Sequence, residues 1–161
     1  DRTNVTGQVL EALEASALSR DTKLDIVMGA AAPFLGEVRF QAPRLSFDVT
    51  VSVNVEDMAQ RMCLADLSIG AAGSTSWERC CLGLPTIQLV LAENQRMVNQ
   101  ALIDSGAAIA FDMWSDQSGS FRLLDYVLKQ VRSKISIMTV KAASITDGLG
   151  CSRVVYKLVG F

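Results

Sequence analysis

The sequence contains no histidine in 161 residues and only four cysteines, Cys63, Cys80, Cys81 and Cys151. Without histidine, the chain lacks the commonest general acid–base group, although carboxylates can still transfer protons. Since no two cysteines have C-x-x-C spacing, no zinc ligand set is evident. We therefore predict no metal site and assign no catalytic residue to this chain. The cysteines are expected to be buried free thiols in a reducing compartment, the cytoplasm.

Charge and long apolar runs are also scarce. The formal net charge is −2, so there is no basic surface to hold a polyanionic backbone, and a nucleic-acid partner is excluded. The longest wholly apolar runs, such as residues 29–35 and 107–111, are far shorter than a membrane span. No signal-peptide pattern opens the chain. Half of the residues are hydrophobic, which is enough to build one domain with a core.

The spacing of the apolar residues predicts strands that alternate with helices. Strands are predicted at 24–29, 49–53, 67–69, 86–91 and 107–111, and helices at about 4–17, 57–65, 74–82, 94–104, 119–132 and 144–158. The stretch in between, at 30–48, has no clear pattern. Because the strands are mostly apolar, we expect a parallel sheet covered on both faces, joined by right-handed crossovers. Residues 1–161 are thus predicted to form a single three-layer α/β domain, a Rossmann-like, doubly wound parallel sheet.

The loop G-A-A-G-S-T-S at 70–76 lies between a predicted strand and a predicted helix. In sheets of this kind, ligands bind beyond the carboxyl ends of the strands. Small residues let a ligand approach the backbone, and free N–H groups at the start of a helix favour a phosphate. The loop matches neither the Walker motif nor G-x-G-x-x-G. Phosphate binding at Gly73, Ser74 and Thr75 and simple tight packing therefore both stay open.

Glu78 and Trp77 follow this loop on the predicted helix. The run T-S-W-E at 75–78 fits a capping box, in which the Glu78 carboxylate bonds the Thr75 amide. Alternatively, Glu78 accepts hydrogen bonds from the two hydroxyls of a ribose whose phosphates lie in the loop. The spacing alone favours the cap. Trp77 is predicted to lie in the core.

A second polar cluster follows the most apolar strand. Glu93, Asn94 and Gln95 come directly after it, and Asn99 lies one helical turn beyond Gln95. One interpretation is a helix cap from Asn94, with Gln95 and Asn99 in solvent. However, two polar clusters at the same edge of a sheet are better explained by one elongated ligand.

Three segments together resemble one family: A-D-L-S-I-G-A-A-G-S-T-S-W-E-R at 65–79, L-G-L-P at 82–85 and A-E-N-Q at 92–95. They are similar to the C-terminal half of the UDP-sugar hydrolase of pseudaminic acid biosynthesis, which releases UDP from a diacetamido-trideoxy hexose. A related group acts in spore-coat polysaccharide synthesis, and both resemble the peptidoglycan N-acetylglucosaminyltransferase. All have the two-domain GT-B architecture, in which the C-terminal domain holds UDP. D-G-L-G-x-x-R-V at 147–154 is a weaker match to the end of the family pattern.

The resemblance implies a role for each polar residue of the two clusters. Gly73, Ser74 and Thr75 would hold the diphosphate, and Glu78 would accept the ribose hydroxyls. The backbone near Val55 would pair with the uracil. The residues implied to cover the uracil or to face the sugar and the domain cleft are Met58, Asn94, Gln95 and Asn99.

The resemblance also implies that a histidine of the N-terminal domain activates the attacking water, and this chain has none. We therefore expect the chain to be a fragment that binds a UDP-sugar, is inactive alone and works with the N-terminal domain of the same enzyme. No cofactor is expected besides the UDP moiety of the substrate. Two alternatives remain: half of a GT-B glycosyltransferase with a sugar or lipid-linked acceptor, and a non-catalytic module that binds nucleotide sugars.

Overall fold

A computed structural model of the chain describes residues 3–112 and 124–160. Within these ranges the helices are α1 (Val5–Glu14), α2 (Leu35–Gln41), α3 (Met58–Leu64), α4 (Thr75–Cys81), α5 (Arg96–Asp104), α6 (Leu124–Ala143) and α7 (Gly150–Val159). The strands are β1 (Lys23–Met28), β2 (Asp48–Val53), β3 (Ser68–Ala71), β4 (Thr86–Val90) and β5 (Ala108–Asp112). Short 3-10 helices lie at Ala42–Arg44 and Glu93–Gln95.

Every strand pair in the described part of the chain is parallel, as predicted, so the α/β class is confirmed. Hydrogen bonds there join the strands into two sheets, β1-β2 and β3-β4-β5, rather than into the single sheet expected. The chain divides into two compact units. The first is Asp1–Asp57 with Ser118–Gln130, and the second is Met58–Gln117 with Val131–Phe161. Apolar periodicity predicts strands but carries no information about which strand edges pair, which is why the sheet division was not foreseen.

In the first unit, α1 begins at an asparagine cap. The Asn4 side chain accepts a hydrogen bond from the Gly7 amide at 3.0 Å, which satisfies one of the free N–H groups of the first turn. The helix then buries Val9, Leu10 and Leu13, residues at helical spacing.

The loop after β1 is held by Asn54, which follows β2. The Asn54 N–H donates to the Met28 carbonyl at 3.1 Å, and its side-chain Oδ1 accepts from the Ala30 N–H at 2.9 Å. Asn54 has a φ of 50°, in the left-handed region that asparagine tolerates better than most residues. The Asn54 side chain therefore takes the place of the next backbone hydrogen bond in the β1-β2 ladder.

In the second unit, β4 forms the centre of the sheet and is buried at all five residues. A core cluster joins α4, α5, β5 and α6; its members are Cys80, Leu102, Ala107, Ala108 and Ala142. The sequence predicted β4 correctly because a run of apolar and β-branched residues between turn signals is typical of a strand covered on both faces.

Two predicted regions differ from the structure. The stretch at 30–48 contains α2, which the sequence did not reveal because the helix buries only Val38 and leaves Phe40 65% exposed. At the C-terminus, α6 continues to Ala143, and the helix predicted from 144 begins only at Gly150. The first part of the helix predicted at 119–132 lies outside the described residues.

α7 begins later than predicted because a turn at Asp147 and Gly148 precedes it. Gly148 has a φ of 74°, which is not compatible with a continuing helix. The Asp147 carboxylate pairs with Arg153 and accepts the Leu149 N–H at 3.0 Å. These two contacts lower the pKa of Asp147 to about 2. The D-G-L-G-x-x-R-V segment is thus a turn that starts α7.

The four cysteines are free, as predicted, but only Cys80 is buried. Cys63, Cys81 and Cys151 are exposed, because they lie on the outward faces of α3, α4 and α7. The prediction of buried thiols was therefore wrong for these three. In the described ranges, no helix is both long enough and apolar enough to cross a membrane.

Candidate functional site

The loop after β3 turns sharply at the carboxyl end of the strand. The Ala72 N–H donates to the Leu89 carbonyl at 3.1 Å, which extends the ladder with β4 by one residue. The Gly73 N–H then turns back to the Ala71 carbonyl at 3.0 Å, and α4 begins at Thr75. Ala72 is 1% exposed, so the turn is anchored in the core of the unit.

Two backbone donors at this turn have no hydrogen-bond partner among the described residues: the N–H groups of Ser74 and Thr75. The next two amides are engaged, since Ser76 bonds Gly73 and Trp77 bonds Ser74, both at 3.0 Å. Ser74 is the N-cap of α4, but its side chain makes no capping bond. The start of α4 therefore offers N–H and hydroxyl donors together, the combination that favours a phosphate.

Gly73 leaves this turn open to an approaching group. A Cβ built on Gly73 would meet no heavy atom within 4 Å. Ser74 is exposed and Thr75 is half-buried. The three residues that the sequence assigned to the diphosphate thus lie together at one accessible turn.

Glu78 does not form the capping box that its spacing allowed. Because α4 begins at Thr75, Ser74 is the N-cap and Trp77 occupies the third helical position. Glu78 is therefore one residue beyond the position from which a carboxylate reaches back to the cap. Its side chain is exposed, with no hydrogen bond in the described part of the chain. The carboxylate remains available to a ligand.

The inward face of α4 is formed by Ser76, Arg79 and Cys80, which are 1%, 5% and 4% exposed. These positions, three and four residues apart, share one side of a helix. Trp77 lies on another side and is 43% exposed. The prediction that Trp77 lies in the core was therefore wrong, and a charged residue lies in the interior of the unit.

Arg79 braces the end of β3. Its Nη2 donates to the Ala71 carbonyl at 2.9 Å, the same oxygen that accepts the Gly73 N–H. Its Nη1 is buried and has no hydrogen-bond partner within residues 3–112 and 124–160. Burial lowers the pKa of Arg79, while the adjacent Cys80 and Glu78 act in the opposite direction. Its helical spacing from Ser76 is the signal that could have indicated this buried position, but an isolated arginine is normally expected in solvent.

The second polar cluster follows β4, the strand that pairs with β3. In this pairing, Ala71 lies opposite Leu89. Asn94 is exposed. The Gln95 Oε1 accepts the Leu91 N–H at 2.9 Å, so half of its amide group holds the loop after β4. Both polar clusters therefore follow the carboxyl ends of paired strands.

The interpretation of Asn94 as a helix cap was wrong, as was the placement of Asn99 in solvent. Gln95, not Asn94, is the N-cap of α5, and it makes no side-chain cap bond. Asn99 shares the buried face of α5 with Leu102 and is 7% exposed. Its Oδ1 accepts no hydrogen bond from the residues that the structure describes. A role for these residues toward a sugar stays a prediction.

Val55 and Met58 belong to different units. Val55 follows β2 in the first unit, and Met58 begins α3 in the second. Both are half-buried. Their expected roles toward uracil stay predictions.

Comparison with known proteins places the fold. No family model matches the sequence. The spore coat polysaccharide biosynthesis protein SpsG of Bacillus subtilis (strain 168) is 27% identical over 150 residues, which cover 91% of this chain and 43% of SpsG. The uncharacterized protein MJ1062 of Methanocaldococcus jannaschii is 32% identical over 98 residues, 60% of this chain and 20% of that protein. The chain spans less than half the length of both curated relatives.

Two solved structures share the fold. MurG of Acinetobacter baumannii superposes with a TM-score of 0.74 at 20% identity over 98% of this chain and 45% of MurG. The glycosyltransferase SsfS6 of Streptomyces sp. SF2575, in complex with thymidine diphosphate, gives a TM-score of 0.51 at 15% identity over 87% of this chain and 42% of SsfS6. The expected α/β fold, that of the C-terminal domain of GT-B glycosyltransferases, is thereby confirmed. The expected similarity to the spore-coat polysaccharide group is confirmed at the level of SpsG.

Proposed function

We propose that this chain binds the nucleoside diphosphate moiety of a nucleotide sugar, UDP in particular, as one half of a sugar-processing enzyme. The observation that carries the proposal is the pair of unpartnered N–H groups at Ser74 and Thr75, at the carboxyl end of a parallel strand. The complex of SsfS6 with thymidine diphosphate supports it, because a protein with the same fold holds a ligand of the same chemical class.

The turn at Gly73–Thr75 is suited to a leaving diphosphate. When the bond between a sugar and its nucleotide breaks, negative charge grows on the diphosphate. N–H groups that the described residues leave without a hydrogen bond stabilise that charge without having to break an existing contact. Ser74 and Thr75 add hydroxyl donors, and the open surface of Gly73 lets the phosphate lie close to the backbone.

The rest of the ligand is assigned to further residues that the family resemblance indicates. In the proposal, Glu78 accepts hydrogen bonds from the two ribose hydroxyls, one helical turn beyond the phosphates. The uracil pairs with the backbone near Val55 and is covered by Met58. The residues assigned to the sugar or the domain cleft are Asn94, Gln95 and Asn99.

The finer proposal for the reaction is hydrolysis, with water as the acceptor of a diacetamido-trideoxy hexose in the synthesis of a pseudaminic-acid-type surface sugar. Attack at the sugar carbon breaks the C–O bond and releases UDP intact. The similarity to SpsG supports a place in polysaccharide synthesis. Since this chain has no histidine, the residue that activates water is assigned to an N-terminal domain of the same enzyme, and the chain alone is expected to be inactive.

A second candidate reaction is transfer of the sugar to a sugar or lipid-linked acceptor. The TM-score of 0.74 with MurG and the match to the glycosyltransferase SsfS6 favour it. Both candidates use the same UDP site and differ only in the acceptor. An assay of the enzyme with both domains decides between them: free sugar indicates hydrolysis, and sugar on the acceptor indicates transfer. Binding without either product would leave a non-catalytic module.

The binding site itself is tested by calorimetry of the chain with UDP, UMP, uridine, CDP and GDP. We expect UDP to bind most tightly and UMP and uridine to bind progressively more weakly, because each lacks phosphate contacts. Equal affinity for UDP and uridine would contradict the diphosphate assignment.

The ribose contact is tested with Glu78→Gln, which keeps the size of the side chain and removes its charge. We expect UDP affinity to fall about tenfold, as for the loss of one hydrogen bond to a charged group. The variant should discriminate less strongly than the wild type between UDP and 2′-deoxy-UDP, because the neutral amide oxygen is a weaker acceptor than the carboxylate. Glu11→Gln, an exposed position on α1, is the matched control. If Glu78→Gln still prefers UDP over 2′-deoxy-UDP as the wild type does, Glu78 does not contact the ribose.

A further inference from the structure

A positively charged side chain lies in the interior beside the loop after β3. The Arg79 side chain is 5% exposed, and no carboxylate forms an ion pair with it in the ranges that the structure describes. Burying an isolated charge is costly, so buried charges are normally paired or bind a ligand. Since Arg79 has no ion pair among the described residues, its buried charge points to a negative group that these residues do not supply.

The position of the guanidinium shows which loop that group would approach. Its Nη2 bonds the Ala71 carbonyl at 2.9 Å. A Cβ built on Gly70 would lie 3.1 Å from Nη2 and 3.4 Å from Nη1, so the guanidinium packs directly on the backbone at the end of β3. Nη1 has no hydrogen-bond partner among the described residues. The charge therefore lies beside the turn that carries the free N–H groups of Ser74 and Thr75.

We propose that Arg79 is a positioning residue for the diphosphate, which fixes the turn through the Ala71 carbonyl and attracts the ligand through its buried positive charge. This inference rests on the proposed function. Arg79 acts through the loop rather than as a surface contact. Because the guanidinium is shielded from water, its attraction for a dianion is screened less than that of an exposed lysine or arginine.

Replacing Arg79 is expected to affect UDP binding and the stability of the fold differently. Without a ligand, an unpaired buried charge destabilises the fold, and replacing it by an apolar side chain of similar length removes that penalty. Arg79→Met should therefore leave the chain at least as stable as the wild type and yet weaken UDP binding. A residue with only a structural role would lose stability on the same substitution.

A neighbouring polar residue defines the competing explanation. Gln88 is the register partner of Gly70 on β4. Its Nε2 donates to the Ser76 Oγ at 2.8 Å, and its Oε1 accepts no hydrogen bond in the described part of the chain. A buried water between Gln88 Oε1 and Arg79 Nη1 would satisfy both atoms without any ligand. In that case Arg79→Met and Gln88→Met would reduce stability alike, and neither would alter the preference for UDP over uridine.

The test compares wild type, Arg79→Met, Arg79→Lys and Gln88→Met by calorimetry with UDP and with uridine, and by urea unfolding without ligand. For Arg79→Met we expect about a tenfold or greater loss of UDP affinity, with uridine affinity changed by less than about twofold. Arg79→Lys keeps the charge and should lie between wild type and Arg79→Met. Gln88→Met should keep the wild-type preference for UDP.

Two results distinguish a failure of the proposed role of Arg79 from a failure of the proposed UDP-binding function. If the wild type shows no preference for UDP over uridine, the proposed function fails before any variant is compared. If the wild type binds UDP and Arg79→Met binds it equally well, or loses UDP and uridine affinity alike, the role of Arg79 is overturned while the site stands. Arg79→Lys supplies the same comparison should Arg79→Met fail to fold.

Discussion

Two loops of this protein have the same position relative to a parallel strand but differ in what their hydrogen bonds leave free. The loop after β1 is closed by an acceptor, the Asn54 Oδ1, which takes the Ala30 N–H at 2.9 Å. The loop after β3 is closed by a donor, the Arg79 Nη2, which donates a hydrogen bond to the Ala71 carbonyl at 2.9 Å. The first hydrogen bond makes a backbone N–H group unavailable to a ligand. The second makes a backbone carbonyl oxygen unavailable and places a positive charge beside the loop.

This difference explains why two small-residue loops need not have the same function. A turn whose acceptors are engaged and whose N–H groups point outward is electropositive, as an anion site requires. In the loop after β3, the N–H groups of Ser74 and Thr75 are unpartnered in the described part of the chain. We therefore expect substitutions in this loop to change binding, and substitutions around Asn54 to change stability.

The largest effect is expected from Ser74→Pro. Ser74 has a φ of −56°, close to the value that proline requires, and the preceding Gly73 has no Cβ to clash with the ring. The substitution removes an N–H that bonds nothing in the described residues, so stability should change little. UDP affinity should fall about tenfold to a hundredfold, the loss of one charge-assisted hydrogen bond. Calorimetry with UDP measures it.

Ser74→Ala is the matched control, because it removes the hydroxyl and keeps the N–H. A loss for Ser74→Ala as large as that for Ser74→Pro would assign the contact to the hydroxyl. Unchanged affinity in both variants would remove Ser74 from the site.

A smaller effect, on stability, is expected at Asn54. Asn54→Ala places an alanine at a φ of 50° and removes the acceptor of the Ala30 N–H. The left-handed conformation and the lost hydrogen bond together should lower the free energy of unfolding by about 1–2 kcal/mol. Asn54→Gly tolerates the conformation and should lose less. Urea unfolding compares the two, and equal losses would show that the backbone conformation contributes nothing.

The smallest effect is expected from a pair of glycine substitutions. A Cβ on Gly70 would lie 3.1 Å from the Arg79 Nη2, whereas one on Gly29 would meet nothing within 4 Å. Gly70→Ala should therefore lower the free energy of unfolding by about 1 kcal/mol through overpacking. Gly29→Ala should leave it unchanged or raise it by about 0.5 kcal/mol, because the unfolded chain loses freedom. Thermal unfolding of both variants checks the order, and the reverse order would contradict the packing described for Arg79.

The sequence predicted the elements well where apolar spacing is strong. β4 was predicted at 86–91 and lies at Thr86–Val90, and α4 was predicted at 74–82 and lies at Thr75–Cys81. It missed α2, where a single buried residue, Val38, gives no periodic signal. The division into two sheets was also missed, since strand pairing depends on tertiary contacts rather than on local pattern.

The candidate site was predictable in part. A strand followed by small residues and a helix locates the turn at Gly73–Thr75 without a structure. The burial of Arg79 was not predictable in the same way, because an arginine next to a turn is expected in solvent and only packing places it inside. The exposure of Trp77 has the same origin. Both depend on how α4 is rotated about its own axis. A helix with so few residues has too short an apolar pattern for its buried face to be predicted from the sequence.

The most direct test of the diphosphate turn is an NMR titration of the ¹⁵N-labelled chain with UDP and, separately, with uridine. We expect the Ser74 and Thr75 amide signals to move with UDP and not with uridine, and their titration should give the dissociation constant found by calorimetry. The Ala30 amide, already bonded to Asn54, should respond alike to both ligands. If the Ser74 and Thr75 signals stay in place while UDP binds, the diphosphate does not bind at this turn.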